Sequence, residues 1–383
     1  MIVGYDGRIL VNLKCGIAVY LTNLLNYYIK EPAIEKIYIF SDKPTHIIYS
    51  SLLSNSKINL IVFGKPGSTS YFQSKLPLQL KKYSVKIYHA IWNNTVPLFS
   101  PCPVVLTIHD LIPWVIGGFK NKRKEYKYKL NTFISAHRAN KIITVSNNSK
   151  NDIIKYLKIK EDKIKVIYNA LDEEKQKINL TEINSQQVLN RYKIDGRYII
   201  CSSGIDTPRR NIEILLKAYL DLMVLKKYNV KLVFIGNVNR DNLYTNYIIG
   251  LIKKLNLSNE VILTGWINDY DLMALLKKAE FMVFPSFYEG FGFPVLEAFW
   301  ASIPVIAAKT SVLYEIAEDA VIYFDLFSQK DLLSKMVMLL ENDELKIQLI
   351  QKGKARLKKF SWQKTAEETL KVYNSLIGGR NIS

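Results

Sequence analysis

The sequence predicts an α/β protein built as two doubly wound domains. Short apolar runs of strand length alternate along the chain with segments of helix length, the pattern of parallel strands joined by crossover helices. The chain has 383 residues, of which 49% are hydrophobic, enough material for two separate cores. A polar, weakly periodic segment at 173–192 interrupts the alternation near its middle, as an interdomain linker does.

The first half opens on a short apolar strand at 2–5. After a loop comes GIAVYLTNLLNYYIK, in which Ile17, Tyr20, Leu21, Leu24, Leu25 and Tyr28 recur at helical spacing. Gly16 stands at this strand-to-helix junction, where it either serves a tight turn or lets a diphosphate reach backbone amides. Strands are expected at 36–40 and 58–63. The segment YFQSKLPLQLKKYSVKIYHA, ending near His89, sets Lys75, Lys81, Lys82 and Lys86 among Tyr83 and leucines. It reads either as a membrane-surface segment or as an amphipathic helix packed on the sheet. PVVLTIHDLIP is a buried strand ending in His109 and Asp110. Open α/β sheets bind ligands at the carboxyl ends of their strands, so His109 is placed to donate a hydrogen bond to a bound hydroxyl or phosphate. FKNKRKEYKYK then gathers Lys120, Lys122, Arg123, Lys124, Lys127 and Lys129 with three aromatic residues. That patch suits anionic lipid or a lipid diphosphate, or it is a solvated helix face. KIITVS is the next strand, and Ser146 should cap the helix NNSKNDIIKYL.

The second half begins with strand YIICSSG at 198–204, closed by Gly204, and a helix starting near Asn211. Arg209 and Arg210 sit at the mouth of that helix, where guanidinium groups can meet a diphosphate. Strands at 231–236 and 261–266 alternate with helices at 245–256 and 269–279. The triplet Asp269-Tyr270-Asp271 has the form of a metal-binding Asp-x-Asp, but it directly precedes LMALLKKAE, and helix capping accounts for it. The stretch at 281–308, FMVFPSFYEGFGFPVLEAFWASIPVIAA, reads as strand, loop, helix and strand. Glu289 and Glu297 bracket its loop and helix start with seven residues between them. Gly290 and Gly292 permit close backbone approach, and Pro294 suits a first helical turn. Amides around Phe291, Gly292, Phe293 and Pro294 should form an anion site, while the two carboxylates accept from hydroxyls. Phosphate together with hydroxyls is the chemistry of a sugar nucleotide. A strand at 321–325, helices at 328–341 and 343–359, and the closing FSWQKTAEETLKVYNSL complete the chain.

The Glu-seven-Glu spacing within YEGFGFPVLEA resembles the signature of retaining glycosyltransferases of family 4. HDLIP, VIYNALD with Asn169 and Asp172, PRRN and the Phe-Ser-Trp of the last helix extend the likeness over nearly the whole chain. It is strongest at 198–373. Ala18 and Val19 stand where members often carry a second glycine and an arginine. Tyr168 and Ala170 replace a proline and a glycine, and Arg210 replaces a lysine. The resemblance implies a GT-B fold: two Rossmann-like domains facing across a cleft, with the closing helix crossing back to the first. The expected boundaries are 1–172 for the acceptor domain, 173–192 for the linker, 193–360 for the nucleotide-sugar domain and 361–383 for the returning helix.

The implied reaction is hexosyl transfer with retention, without a metal or other cofactor. Glu297 would take the ribose hydroxyls, Glu289 those of the hexose, and Arg209 and Arg210 the departing diphosphate. Gly16, Gly204, Gly290 and the amides at 291–294 would line the donor, and His109 would orient the hexose. The expected donor is GDP-mannose, with UDP-linked hexoses as the alternative. The expected acceptor is a lipid-linked oligosaccharide of bacterial surface polysaccharide synthesis, O-antigen or capsule.

Bulk properties agree with such partners. Residues 1–170 carry 25 Lys and Arg against 9 Asp and Glu, while residues 171–383 carry 28 against 25. The +19 net charge is therefore concentrated on the first half, where it suits an anionic membrane or a phosphorylated acceptor. No nucleic-acid partner is expected, since helix-turn-helix, zinc and aromatic-glycine RNA signatures are missing. The rival readings are a sugar-nucleotide epimerase or hydrolase on the same fold and, from charge alone, a nucleic-acid binder. The stretch 87–108 is broken by Pro97, Pro101 and Pro103, no basic leader precedes an apolar run, and Cys15, Cys102 and Cys201 are widely spaced. These features lead to the expectation of a cytoplasmic protein, peripheral on the inner face of the membrane.

Overall fold

The computed structural model describes residues 1–11, 15–117 and 121–378; Lys120 of the basic patch lies outside them. The chain forms two units, Met1–Ala170 with Ser361–Ser383, and Leu171–Phe360.

In the first unit, seven strands of the described residues make one parallel sheet: Ile2–Asp6 (β1), Lys36–Ser41 (β2), Ile58–Val62 (β3), Ile87–Ala90 (β4), Val104–Ile108 (β5), Lys141–Thr144 (β6) and Ile164–Val166 (β7). Their order is β3-β2-β1-β4-β5-β6-β7, so the winding reverses between β1 and β4. β4 and β5 are buried along their whole length instead of alternating, as strands covered on both faces are, and apolar except for His89 and Thr107. The helix Gly16–Tyr28 buries Tyr20, Leu21, Leu24, Leu25 and Tyr28, following the expected spacing. The helix Thr69–Lys82 buries Phe72, Leu76 and Leu80 against the sheet and leaves Lys75, Lys81 and Lys82 exposed, the amphipathic-helix alternative of the two.

The closing helix Trp362–Gly378 belongs to this first unit, as the resemblance implied. Polar contacts fasten it there as well as packing. The Tyr28 hydroxyl donates to the Ala366 carbonyl at 2.9 Å, and the Thr365 hydroxyl donates to the Tyr168 carbonyl at 2.7 Å. Trp362 is buried with its ring 6.1 Å from that of Tyr20.

The second unit repeats the theme with Arg197–Cys201 (β8), Val230–Phe234 (β9), Val261–Leu263 (β10), Met282–Phe284 (β11), Val305–Ala308 (β12) and Ile322–Phe324 (β13). Among the described residues these form a six-stranded parallel sheet ordered β10-β9-β8-β11-β12-β13, with the reversal between β8 and β11. β9 and β10 stop earlier than their apolar runs suggest. Gly236 (φ 126°) and Gly265 (φ 73°) turn the backbone out of the extended region just beyond them. At Gly236 a Cβ would lie 2.8 Å from the Gly204 Cα, so the loops after β8 and β9 press backbone on backbone.

The segment 173–192 is built into the second unit. It carries the short helices Glu173–Gln176 and Ser185–Arg191. Arg191 donates to both oxygens of Asp271 at 3.0 and 2.7 Å, and the Tyr192 hydroxyl donates to the same carboxylate at 2.7 Å. Capping also differs in detail from the expectation. Ser146 does cap its helix, accepting from the Ser149 amide at 3.1 Å. Ahead of Asp269–Lys278, however, the cap is Asn268, which accepts from the Asp271 amide at 2.8 Å. Asp269 and Asp271 lie inside the first turn and serve cations of the 173–192 segment instead.

Candidate functional site

The acidic pair, the arginines and Gly204, Gly290 and Gly292 lie in the segments that follow the carboxyl ends of β8 and β11, the neighbours flanking the reversal in the second sheet. Beyond β8 the chain makes a short turn through Arg209 and Arg210 and enters the helix Ile212–Val224 at Asn211, whose φ of 53° is one that asparagine tolerates. The Asn211 amide donates to the Leu326 carbonyl at 3.2 Å, and the Phe287 amide donates to the Arg209 carbonyl at 2.8 Å. The arginine turn is thereby stitched to the loop after β11. Both guanidinium groups converge on Glu289: Nη1 of Arg209 and Nη1 of Arg210 each donate to Oε1 at 2.6 Å. The three side chains are between 14% and 19% exposed.

Glu289 and the two arginines, to which the resemblance gives separate duties, stand paired with one another. They form one ion-paired group, in which two cations meet one carboxylate and a positive excess remains. Burial lowers the pKa of Arg210, and Glu289 acts against that shift. Arg210 Nε, Ser286 Oγ and Thr310 Oγ1 are buried without a partner among the described residues. They follow β8, β11 and β12 respectively. Buried polar groups are ordinarily paired, so three of them beyond adjacent strand ends fit a polar ligand.

Beside this cluster starts the helix Phe293–Ala301, with Pro294 in its first turn as expected. Gly292 precedes it at φ 112°, where a Cβ would be strained and would sit 3.3 Å from Leu313. Phe291 is buried, its ring 5.4 Å from Phe293 and 5.7 Å from Phe360, so its side chain anchors the loop. Gly290 and Gly292 flank that anchor. The free amides of the turn, with the helix dipole, favour an anion.

Glu297 lies about one turn into the helix and is 7% exposed. Its carboxylate pairs with Lys175 of the short helix Glu173–Gln176, and the same ammonium lies 3.4 Å from Asp269. Lys175 was not singled out in the sequence, because it falls in the presumed linker. The signal that could have found it is the need of a buried carboxylate for a counter-charge.

His109 and Gly16 belong to the first unit. Gly16 is exposed and is the first residue of its helix. His109 follows β5, with its ring 5.0 Å edge-on to Tyr20 and its Nε2 donating to the Ile91 carbonyl at 3.2 Å. Burial pushes its pKa down to about 4, against the opposing Ile91 bond, so the ring is neutral near pH 7. With Nε2 donating, Nδ1 is left as an acceptor. In this arrangement an Nδ1 acceptor suits a hydroxyl that donates to it, while Nε2 is engaged by the Ile91 carbonyl.

Beneath it lies a network absent from the sequence reading. His89 is fully buried; its Nδ1 meets the Tyr373 hydroxyl at 2.6 Å and its Nε2 meets Thr107 at 2.7 Å. Tyr373 in turn meets Tyr5 at 2.9 Å, and Tyr20 meets Thr107 at 3.1 Å. Burial first, and His109 second, push the His89 pKa down to about 3.

The basic patch forms the start of the helix Lys122–Arg138. Lys122, Arg123, Lys124 and Lys127 are exposed, together with Tyr126. Lys129 leaves the patch: it pairs with Glu125 at 2.7 Å and lies 5.8 Å from the Trp114 ring.

Comparison with known proteins gives matches of sequence and of fold. Residues 184–356 match the family model of glycosyl transferases group 1, and residues 15–175 match that of glycosyltransferase family 4. The serotype-specific mannosyltransferase WbdA of Escherichia coli is 30% identical over 284 residues, covering 72% of this chain and 34% of that protein. The chain thus spans about a third of the length of this curated relative. The O-antigen chain mannosyltransferase B of Escherichia coli is 26% identical over 272 residues, covering 71% of this chain and 70% of that one. Among solved structures, Anabaena HepE in complex with UDP and glucose matches with a TM-score of 0.77 at 18% identity. It covers 98% of this chain and 99% of its own, a likeness of fold, the GT-B fold.

Proposed function

The chain belongs to the group 1, family 4 glycosyltransferases, and from that premise we propose that it transfers a hexose from a sugar nucleotide with retention of anomeric configuration. The observation that carries this reading is the Arg209–Arg210–Glu289 cluster set beside the N-terminus of the helix Phe293–Ala301. In the reaction the bond from the anomeric carbon to the donor phosphate breaks while an acceptor oxygen bonds that carbon on the same face. The acceptor proton passes to the leaving phosphate oxygen. Negative charge grows on the diphosphate, and two fixed guanidinium groups with the helix amides stabilise it there. Glu289 holds the arginines and accepts from the hexose, Glu297 accepts from the ribose, and Gly204 and Gly16 give the backbone room near the donor. His109 Nδ1 accepts from a hexose hydroxyl.

The donor proposed is GDP-mannose, supported by the two mannosyltransferase relatives. A UDP-linked hexose is the second reading, favoured by the UDP and glucose bound to HepE. The acceptor proposed is a lipid-linked saccharide of O-antigen or capsule synthesis, reached by peripheral attachment to an anionic membrane. Supporting attachment are the exposed cations and Tyr126 of the helix Lys122–Arg138, and among the described residues no helix is long and apolar enough to cross a membrane.

A thermal-shift panel of GDP, UDP and ADP sugars tests the donor. A ligand at a hundred times its Kd adds about 2.7 kcal/mol of apparent stability, so a selective shift identifies the base. Absence of any shift overturns the reading. Steady release of free sugar or an epimer without acceptor would move the assignment to a hydrolase or epimerase.

A further inference from the structure

Lys175 is the fifth residue of the second unit, yet its ammonium reaches the helix Phe293–Ala301. It pairs there with Glu297 and lies 3.4 Å from Asp269. The Lys175 and Glu297 side chains are only 12% and 10% exposed. We propose that Lys175 is a positioning residue for donor recognition: it holds the Glu297 carboxylate in place for the two vicinal hydroxyls of the nucleotide ribose. This rests on the assignment of Glu297 to the ribose.

Three physical arguments support it. Glu297 and Asp269 are like charges that converge on one cation, and without that cation their repulsion would turn the Glu297 side chain away. Burial lowers the Lys175 pKa, but Glu297 and then Asp269 raise it further, so the ammonium stays charged at physiological pH. An ionised carboxylate offers about four acceptor directions. One of these given to the ammonium fixes the side chain and leaves the others for hydroxyls. The cation also offsets the repulsion that two carboxylates would exert on an incoming diphosphate.

The test compares the affinity of the full chain for GDP and UDP with that for their 2′,3′-dideoxy counterparts, by calorimetry. For the base that binds, wild type should prefer the ribonucleotide by roughly tenfold to a hundredfold, the order for hydrogen bonds to an ionised group. Lys175→Met should reduce that preference by about tenfold, and Glu297→Gln should reduce it comparably. Lys175→Gln, assayed in parallel, serves if the methionine variant does not fold. A folded variant that binds more weakly but keeps the wild-type preference shows a merely structural lysine and overturns the inference. A wild-type preference near one removes the ribose assignment itself, and the role of Lys175 with it; the two failures are thereby told apart.

Discussion

The carboxyl end of β5 and those of β8 and β11 present different chemistry, although the first unit also carries an ion pair, Asp6–Arg8, at the end of β1. In the first unit, β5 ends at a neutral His109, backed by a buried array of uncharged groups: Tyr20, Thr107, His89, Tyr373 and Tyr5. In the second, β8 and β11 end at charges that compensate one another, Arg209 and Arg210 on Glu289, with Lys175 on Glu297 nearby. Strand ends of similar doubly wound scaffolds thus hold either a neutral, desolvated group or a charge-paired cluster. The difference follows from what each can pay for: a single histidine escapes the cost of burial by losing its proton, whereas arginines cannot, and must be paired. A neutral acceptor suits a sugar hydroxyl, and a surplus of fixed cations suits a diphosphate.

The sharpest way to break this contrast is to remove charge from the second site. Arg210→Ala should lower kcat/KM on the order of a hundredfold, the usual loss for one donor to a developing anion. Steady-state kinetics with the donor found in the ligand panel checks it, and unchanged turnover would reject the role given to Arg210. On the neutral side, Tyr373→Phe removes the hydroxyl that links Tyr5 to His89 and leaves buried groups unpaired. It should cost about 1–3 kcal/mol in urea unfolding, with a smaller effect on donor affinity than Arg210→Ala.

His109→Gln sharpens the contrast further. Glutamine can keep a donor to the Ile91 carbonyl but lacks the second ring nitrogen, so kcat/KM should fall roughly tenfold. The same variant tests the neutrality of the ring. In the unfolded chain histidines take up a proton near pH 6.5, whereas in the folded state His109 does so only near pH 4 and His89 near pH 3. Between pH 6.5 and 4 the unfolded state therefore binds more protons. Stability conferred by the neutral rings is complete above 6.5 and is lost as pH falls, by up to about 1.4 kcal/mol per pH unit for each histidine. Denaturant midpoints at pH 7, 6 and 5 should decline in wild type and decline less steeply in His109→Gln. The smallest effect concerns the exposed cations of Lys122–Arg138. Lys124→Ala should weaken binding to anionic vesicles about fivefold, the order for one lysine at a membrane surface, and vesicle sedimentation reads it. Equal binding to neutral vesicles would remove the electrostatic attachment.

Part of this was readable from local patterns. The alternation of apolar runs and helical spacings marks the strands and helices because each depends on residues a few positions apart. The Glu289–Glu297 spacing, the Arg209-Arg210 pair and the strand-end His109 are also local, and each falls after the carboxyl end of a strand. Other features had no local trace. The partner of His89 is Tyr373, 284 residues away, and the partner of Glu297 is Lys175, 122 residues away. The Asp269-Tyr270-Asp271 triplet is likewise settled by distant groups: Asn268 caps the helix, while Asp269 meets Lys175 and Asp271 meets Arg191 and Tyr192.

By itself the sequence determined where strands and helices form and which charged groups stand at their ends, since propensity and periodicity act between neighbours along the chain. Only the tertiary structure decided which partner each buried charge or hydroxyl found, and therefore which groups are neutral, which are held and which way each can hydrogen-bond. The reason is that burial makes an unpaired polar group costly, and the partner that relieves the cost is brought up by the folding of distant segments.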